Sequence, residues 1–223
     1  MRIAAHPSRM KGFFIVLEGI DGAGTTTQSR LLHEAFVREN SPIHLTQEPS
    51  DGPVGMIIRQ ILSGRLVSKG LSGPRSPGWP TMALLFAADR LDHLEGEMLP
   101  NLADGITVVS DRYVYSSLLY QTETSGDFAN INWIETLNRL APRPDLTIVL
   151  DVGPAIAARR RRCRREVEQI YDDLDLQDRL VRRYRELPAR YPNDRIEIVN
   201  GEGEPQEVHT ACWALVRKLR GER

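Results

Sequence analysis

The sequence predicts an α/β fold in which a five-stranded parallel sheet carries helices on both faces. Five short apolar runs that fit buried strands alternate with longer segments that fit helices, and no internal repeat interrupts them. A glycine-rich stretch at residues 18–27 joins the first strand to the first helix. In such a sheet, ligands bind at the carboxyl ends of the strands, so the residues that follow each strand are the first candidates for function.

The elements follow one another in a simple order. Residues 13–17 (FFIVL) form a continuous apolar run typical of a buried parallel strand, and residues 26–39 predict a helix with Leu32 and Phe36 on its apolar face. The remaining predicted elements are a strand at 43–46, a helix at 54–62, an exposed loop at 64–80, a long helix at 81–102 kinked at Pro100, a strand at 106–110, helices at 114–122 and 131–140, a strand at 146–150, helices within 154–190, a strand at 196–199 and a helix at 205–220.

The length of 223 residues predicts one domain over residues 10–223, preceded by an extension at 1–9. A formal net charge of −1 argues against a general nucleic-acid-binding surface, and no apolar run has the length of a membrane span. Residues 1–9 lack the apolar core of a signal peptide, and Met10 is an alternative start. The five histidines show no ligand spacing, so no structural metal site is expected.

Two cysteines, Cys163 and Cys212, lie far apart in the chain. They suggest a reducing compartment without a disulfide framework, and we predict structural roles for both thiols. Together with the missing signal peptide, this indicates a cytoplasmic protein.

The glycine-rich stretch has the spacing of a phosphate-binding loop without its lysine. Gly19 and Gly24 are separated by four residues and Thr26 fills the hydroxyl position, but Thr25 stands where the lysine is expected. The alternative is a tight strand-to-helix turn that merely needs glycine; the flanking strand and helix favour phosphate binding at the positive end of the helix. The candidate nucleotide-binding residues are Gly19, Ile20, Asp21, Gly22, Ala23, Gly24, Thr25, Thr26 and Thr27.

The missing lysine draws attention to the arginines. The chain has 26 arginines and three lysines, but a bias towards arginine would place arginine at position 25, not threonine. Six arginines surround Cys163 in residues 159–165. If Ile156, Cys163 and Val167 mark the inward face of a helix, Arg160 lies near that face, Arg159 and Arg164 flank it, and Arg161, Arg162 and Arg165 point to solvent. The alternative is a solvated basic face or a nucleic-acid patch; for Arg160 and Arg164 we favour phosphate binding.

Two further sets of residues fit phosphate chemistry. Asp111 and Arg112 directly follow the strand at 106–110, where an acid can orient magnesium or its waters and an arginine can clamp phosphates. The alternative for them is a strand-end ion pair. Phe86 and Arg90 lie four residues apart on one helical face and could stack on a base and bond to its edge, although Phe86 alone would be ordinary core.

Four segments together resemble thymidylate kinases, the dTMP-specific branch of the P-loop nucleoside monophosphate kinases. They are 13–28 (FFIVLEGIDGAGTTTQ), 84–93 (LLFAADRLDH), 111–121 (DRYVYSSLLYQ) and 144–152 (PDLTIVLDV), in the order and spacing of the family and across most of the chain. The resemblance implies phosphorylation of dTMP to dTDP by ATP and Mg²⁺ in dTTP biosynthesis. It also implies a homodimer packed through helices that include residues 81–91.

The resemblance further implies a role for each matching residue. Asp21 would hold the sugar 3′-hydroxyl of dTMP and align its phosphate, and Arg112 would bridge the donor and acceptor phosphates. At the base, Phe86 would stack on thymine, Arg90 would bond to its edge, and the polar edge would be surrounded by Ser116, Ser117 and Gln121. Tyr120 would lie under the deoxyribose, where it excludes a 2′-hydroxyl, Arg59 would lie near the monophosphate, and Glu48 belongs to the strand-end Glu-Pro pair. Thr26 and Asp111 would hold magnesium, in part through water, and residues 159–172 would form a lid over ATP.

The chain departs from the family at three places. Thr25 replaces the lysine, Gln47 stands where many bacterial members have arginine, and residues 168–172 (EQIYD) replace the usual glycine and Asp-Arg-Phe-Glu portion of the lid. We hypothesise that Arg160 or Arg164 supplies the missing charge when the lid closes.

Three functions remain in competition. They are an active dTMP kinase, a catalytically weak nucleotide-binding or regulatory protein, and a kinase of another nucleotide such as dUMP or a purine monophosphate. An inactive relic would be expected to lose its acceptor residues together with the lysine, and this chain retains them. The intact set of acceptor residues therefore favours the first function: Phe86, Arg90, Ser117, Tyr120 and Gln121.

Overall fold

A computed structural model describes residues 12–70, 73–163, 171 and 173–221. It confirms the predicted fold class. Five strands form one wholly parallel sheet in the order β2-β5-β1-β6-β7. Their bounds are β1 Phe14–Glu18, β2 Ile43–Gln47, β5 Thr107–Asp111, β6 Leu146–Asp151 and β7 Ile196–Asn200, and a separate antiparallel hairpin consists of β3 Ser68–Gly70 and β4 Gly73–Arg75.

Helices connect the strands and cover the sheet. Their bounds are α1 Thr25–Arg38, α2 Pro53–Leu62, α3 Trp79–His93, α4 Leu99–Ala103, α5 Val114–Ser125, α6 Ile131–Leu137, α7 Pro154–Cys163, α8 Leu174–Arg190 and α9 Pro205–Arg220. A π-helical segment, Leu94–Met98, joins α3 to α4, and a 3₁₀ turn, Phe128–Asn130, precedes α6. Among the described helices, none combines the length and apolarity needed to cross a membrane.

The central strand β1 explains why the sequence forms this sheet. All five of its residues are buried, and alternate side chains enter different hydrophobic clusters. Ile15 and Leu17 join the larger cluster, whereas Phe14 and Val16 join a smaller one with the π segment and α4. A strand covered on both faces needs apolar residues at every position, as the FIVL run provides. The sheet therefore fixes the positions at which the loops leave the carboxyl ends of its strands.

Two predicted elements differ in the structure. The long helix at 81–102 is interrupted by the π segment just before Pro100, which occupies the first turn of α4. Proline has no N–H group to donate to the carbonyl four residues earlier, so the regular α-helical hydrogen bonding is interrupted there. The loop at 64–80 is not wholly irregular, because it contains the β3–β4 hairpin.

The prediction of structural roles for both cysteines is wrong for one of them. Cys212 is buried in the larger cluster, but Cys163 is exposed at the end of α7, and both are free thiols. The error arises because residues 154–163 carry no apolar periodicity that fixes an inward face.

Candidate active site

The glycine loop turns tightly between β1 and α1. Gly22 and Gly24 have φ angles of +89° and +103°, a conformation that side chains with a Cβ atom rarely adopt. At Gly22, a Cβ atom would also lie 2.5 Å from the backbone oxygen of Ala157 in α7. Helix α1 begins directly after Gly24, so its first N–H groups and its positive end face the loop. This backbone is suited to holding an anion.

A cleft of about 470 Å³ lies beside this loop. Its walls come from the glycine loop, the loop after β2, helices α2, α3 and α5, and residue 171. All ten residues predicted to bind the substrate line it: Asp21, Glu48, Arg59, Phe86, Arg90, Arg112, Ser116, Ser117, Tyr120 and Gln121. The structure therefore brings these residues together, while the role of each stays a prediction.

Arg90 is held firmly in the wall of this cleft. Its side chain is 1% exposed, and Nη2 donates to Glu48 Oε2 at 2.6 Å and to Ser117 Oγ at 3.0 Å, while Nη1 donates to Asn138 Oδ1. Within the described chain, Arg90 Nε has no acceptor, and the buried Oε1 of Gln121 has no donor. The guanidinium is therefore fixed before a ligand binds, with one donor left over.

Glu48, which orients Arg90, is itself part of a buried polar chain. Its Oε1 lies 3.7 Å from Nδ1 of His93, whose Nε2 lies 2.7 Å from Thr46 Oγ1 and 3.5 Å from Glu97 Oε1. Burial alone would lower the pKa of His93, but the carboxylates of Glu48 and Glu97 raise it above its ordinary value. The carboxylate that holds Arg90 thereby also favours the protonated form of His93.

Arg112 connects the glycine loop to the cleft. It has a positive φ of +72°, which is unusual for a residue with a Cβ atom. Its Nη2 pairs with Asp21 Oδ1 at 2.6 Å, and its Nη1 donates to the oxygen of Gly19 and to Ser116 Oγ, each at 2.9 Å. Tyr120 donates its hydroxyl to the other Asp21 oxygen at 3.1 Å. Asp21, Arg112 and Tyr120 thus form one network between the loop and the cleft.

Glu18 supports the turn that carries Arg112, and the sequence analysis did not single it out. Its fully buried carboxylate accepts from the backbone N–H groups of Tyr113 at 3.0 Å and Ser116 at 3.1 Å, from Ser116 Oγ at 2.5 Å and from Tyr184 OH at 3.2 Å. Burial raises the pKa of Glu18 to about 7. An acidic residue that ends an otherwise apolar strand was the signal available in the sequence.

Thr26 and Asp111 form a pair at the start of α1. Thr26 Oγ1 donates to Asp111 Oδ2 at 2.5 Å, and the buried Oδ1 of Asp111 has no partner within the described residues. Groups of three or more His, Cys, Asp or Glu that could hold a metal do not occur in the described part of the chain. Magnesium, however, commonly takes one carboxylate together with phosphates and waters. A hydroxyl and a carboxylate oxygen beside a phosphate loop therefore fit Mg²⁺.

Arg59 lines the cleft and is anchored to the loop after β2. Its guanidinium donates to the backbone oxygens of Pro49 and Ser50, each at 2.5 Å, and pairs with Asp51 at 2.9 Å. The peptide bond before Pro49 is cis. Backbone contacts therefore hold Arg59 in the wall of the cleft, while its role near the monophosphate stays a prediction.

Among the described arginines of α7, Arg160 lies near the inward face as predicted, whereas Arg161 does not point to solvent. Arg160 donates to the backbone oxygens of Gly201 at 2.9 Å and Ala23 at 3.2 Å, and Arg161, expected in solvent, donates to the backbone oxygen of Asp21. The face that packs on the loop contains Ala157, because a small side chain allows close approach to Gly22. Arg159 and Arg162 are exposed, while Arg164, Arg165, Val167 and the other residues of 164–170, as well as 172, lie outside the described residues.

Tyr171 is a cleft residue that the sequence analysis missed. Its ring makes an edge contact with that of Tyr120, at a centroid distance of 5.3 Å, and its backbone oxygen accepts from Gln177 Nε2 at 2.6 Å. Burial raises the pKa of Tyr171 to about 12, so the phenol stays neutral at physiological pH. It belongs to the stretch 168–172 that departs from the resembled family, and no motif pointed to it.

Known proteins similar to this chain agree with the geometry. The family model described as thymidylate kinase matches residues 17–212. A probable thymidylate kinase of Pyrococcus horikoshii is 39% identical over 208 residues, which cover 93% of this chain and 97% of that protein. A probable thymidylate kinase of Thermococcus kodakarensis is 38% identical, over 94% of this chain and 99% of its own length. The thymidylate kinase of Desulforudis audaxviator is 37% identical, over 96% and 94%.

Proposed function

Because the chain belongs to the thymidylate kinase family, we propose that it transfers the γ-phosphoryl group of ATP to dTMP and releases dTDP and ADP. One observation carries the proposal. The ten residues predicted for the acceptor come from separate segments of the chain, yet all line one cleft beside the glycine loop. A binding protein without activity would not need an acceptor cleft next to the donor site.

The acceptor nucleoside fits the cleft through shape and through a few fixed polar groups. Phe86 would provide an aromatic face for the thymine ring, and Arg90 and Gln121 would lie at its polar edge, where each has one buried polar atom without a partner in the described chain. Thymine offers the complementary pair, a carbonyl oxygen and an N–H group. Tyr120, held by Asp21 at 3.1 Å, would lie under the sugar and disfavour a 2′-hydroxyl.

Phosphoryl transfer here needs positioning and charge rather than a strong base. The acceptor phosphate is already an anion at neutral pH, so one of its oxygens can attack the γ-phosphorus as the bond to the β,γ-bridging oxygen breaks. Arg112 lies between the loop and the cleft, where it can contact both phosphates. When bound, Mg²⁺ would neutralise charge on the ATP phosphates, and Thr26 and Asp111 are the residues that would hold it.

We also propose that the protein works as a cytoplasmic homodimer. Helices α2 and α3 pack on each other and expose large apolar side chains, among them Met56, Ile57, Leu84 and Leu91. A second copy would remove these side chains from water. Light scattering of the wild type and of Leu84→Glu tests the proposal, because a charge there should give monomers if this face forms the interface.

The test of the main function is ADP release with ATP, magnesium and a panel of nucleoside monophosphates. Turnover on dTMP well above that on dUMP and purine monophosphates is the expected result. Arg90→Gln should then lose affinity for dTMP, whereas Arg162→Gln, an exposed residue of α7, should behave as wild type. Binding of dTMP without turnover would instead support the regulatory alternative, and preference for another monophosphate would support the third function.

A further inference from the structure

His93 lies one step behind the residues that face the acceptor cleft. It is not among the residues that line the cleft, but Glu48, which does line it, lies between His93 and Arg90. The side chain of His93 is 1% exposed and belongs to the last turn of α3. A buried polar side chain at this place either fills the core or controls the carboxylate beside it.

The imidazole ring of His93 is anchored at the nitrogen that points away from Glu48. Its Nε2 lies 2.7 Å from Thr46 Oγ1 on β2 and 3.5 Å from Glu97 Oε1 on the π segment. The same Glu97 oxygen lies 2.7 Å from Nε2 of His44, which is partly exposed. Partners from two different elements therefore fix the plane of the ring, and with it the direction of Nδ1.

The other ring nitrogen faces Glu48. Nδ1 lies 3.7 Å from Glu48 Oε1, and within the described chain neither of these two buried atoms has a hydrogen-bond partner. A carboxylate oxygen only accepts, so the two atoms match when Nδ1 carries a proton. A shift of about 0.8 Å would bring them to the length of a hydrogen bond. Because leaving both atoms unpaired in the core is costly, the arrangement favours this contact.

Glu48 uses its two oxygens on two different sides. Oε2 accepts from Arg90 Nη2 at 2.6 Å, whereas Oε1 faces His93. The last torsion of a glutamate side chain has a broad energy profile, so a carboxylate held at one oxygen alone can rotate. A second contact at Oε1 stops that rotation. The guanidinium of Arg90, whose Nε has no acceptor in the described chain, then keeps a fixed direction.

On the basis of the proposed function, we propose that His93 is a positioning residue for recognition of the thymine base. Its Nδ1–H group donates to Glu48 Oε1, Glu48 holds the guanidinium of Arg90, and Arg90 bonds to the edge of the base. His93 itself touches neither substrate. It therefore acts on the affinity for dTMP and leaves the transfer of the phosphoryl group unchanged.

Two amide variants test the two ring nitrogens separately. The amide nitrogen of asparagine lies as many bonds from Cβ as Nδ1 does, and that of glutamine lies as many as Nε2 does. His93→Gln should raise the dissociation constant of dTMP about tenfold, the order expected for a lost hydrogen bond to a charged group, while His93→Asn should keep it within about threefold of wild type. For both variants, kcat at saturating dTMP and the KM for ATP should stay near the wild-type values.

The linkage through Glu48 can be measured with a double-mutant cycle. Glu48→Gln alone should weaken dTMP binding, because it removes the charge that holds Arg90. His93→Gln added to Glu48→Gln should weaken binding no further, since the contact that it removes is already lost.

Three controls distinguish positioning from a general loss of structure. His209, on α9, is 4% exposed, as is His93, so His209→Asn is the matched variant and should leave dTMP affinity unchanged. The inhibition constant of 2-deoxyribose 5-phosphate, which lacks the base, should be the same for wild type and His93→Gln. Nitrogen-15 NMR of the histidines in the wild type, which needs no altered protein to fold, should show a proton on Nδ1 of His93.

The results separate this proposal from the proposed function. Binding of dTMP without turnover in the wild type would overturn the proposed function alone, whereas absence of dTMP binding would overturn both. If the wild type binds dTMP and His93→Gln binds it equally well, or better than His93→Asn does, His93 does not act through Nδ1. Equal losses for dTMP and 2-deoxyribose 5-phosphate, or an Nδ1 without a proton, would also overturn the positioning role.

Discussion

Replacing Glu18 by glutamine should remove a pH-dependent loss of stability that the wild type shows on approach to neutral pH. The carboxyl is fully buried, and its pKa is raised from 4.5 to about 7 by that burial. A carboxyl whose pKa is higher in the folded than in the unfolded state binds its proton more tightly when folded. Its contribution to stability is therefore fully present below pH 4.5 and is lost as the pH rises through 7.

The size of this effect follows from the shift. The pKa of Glu18 rises from 4.5 to about 7, and each unit of pKa corresponds to about 1.4 kcal/mol. The wild type should therefore lose on the order of 3 kcal/mol of unfolding free energy between pH 4.5 and pH 7.5. Glutamine carries no titrating proton but keeps an oxygen for the N–H groups of Tyr113 and Ser116. The variant should therefore become more stable relative to wild type as the pH rises.

The assay is urea denaturation of both proteins at pH 5, 6, 7 and 8. Only the difference between the two unfolding free energies is interpreted, because other titrating groups cancel in it. Glu95→Gln, which removes an exposed carboxylate, is the matched control and should give a nearly constant difference. A Glu18→Gln difference that does not change with pH would refute the argument that burial controls this carboxyl.

The other predictions concern the metal, the base and the thiols. Asp111→Asn should raise the magnesium concentration needed for half-maximal turnover at least tenfold, without changing dTMP affinity measured by calorimetry. Phe86→Ala should weaken dTMP binding by about 1–2 kcal/mol, through lost stacking and burial, and leave the KM for ATP unchanged. Cys212→Ser should lower the free energy of unfolding by about 1–3 kcal/mol, because the buried position has to accept a polar hydroxyl. Cys163→Ser, on the surface, should leave the free energy of unfolding unchanged.

The sheet could be predicted from the sequence because each of its central strands is covered on both sides. Continuous runs such as residues 14–17 have no other stable place in a small α/β protein, and their ends agree with the structure to within one or two residues. The hairpin at Ser68–Gly70 and Gly73–Arg75 could not be predicted. Its three-residue strands contain glycine and proline and bury no alternating face, so the sequence has no periodicity to show them.

Only part of the cleft was predictable from the sheet. Asp111 and Arg112 directly follow a strand, and a parallel sheet brings such positions to one edge. The roles of residues on the helices, such as Tyr120 and Gln121, were implied by the family resemblance. Glu18 and Tyr171 were missed because neither completes a motif. Glu18 acts through backbone N–H groups that only the fold brings near it, and Tyr171 reaches the cleft from the segment after α7.

The inward face of α7 was predicted wrongly at Cys163 and Arg161, although Ile156 packs against the larger cluster as expected. Apolar size was used to choose Ile156 and Cys163, but the helix packs against backbone at Gly22, where the nearest permitted neighbour is small. Alanine carries little hydrophobic signal, so Ala157 and Ala158 gave no contrast against the arginines around them. The face of α7 that packs on the glycine loop is therefore determined by the small space available there rather than by hydrophobicity.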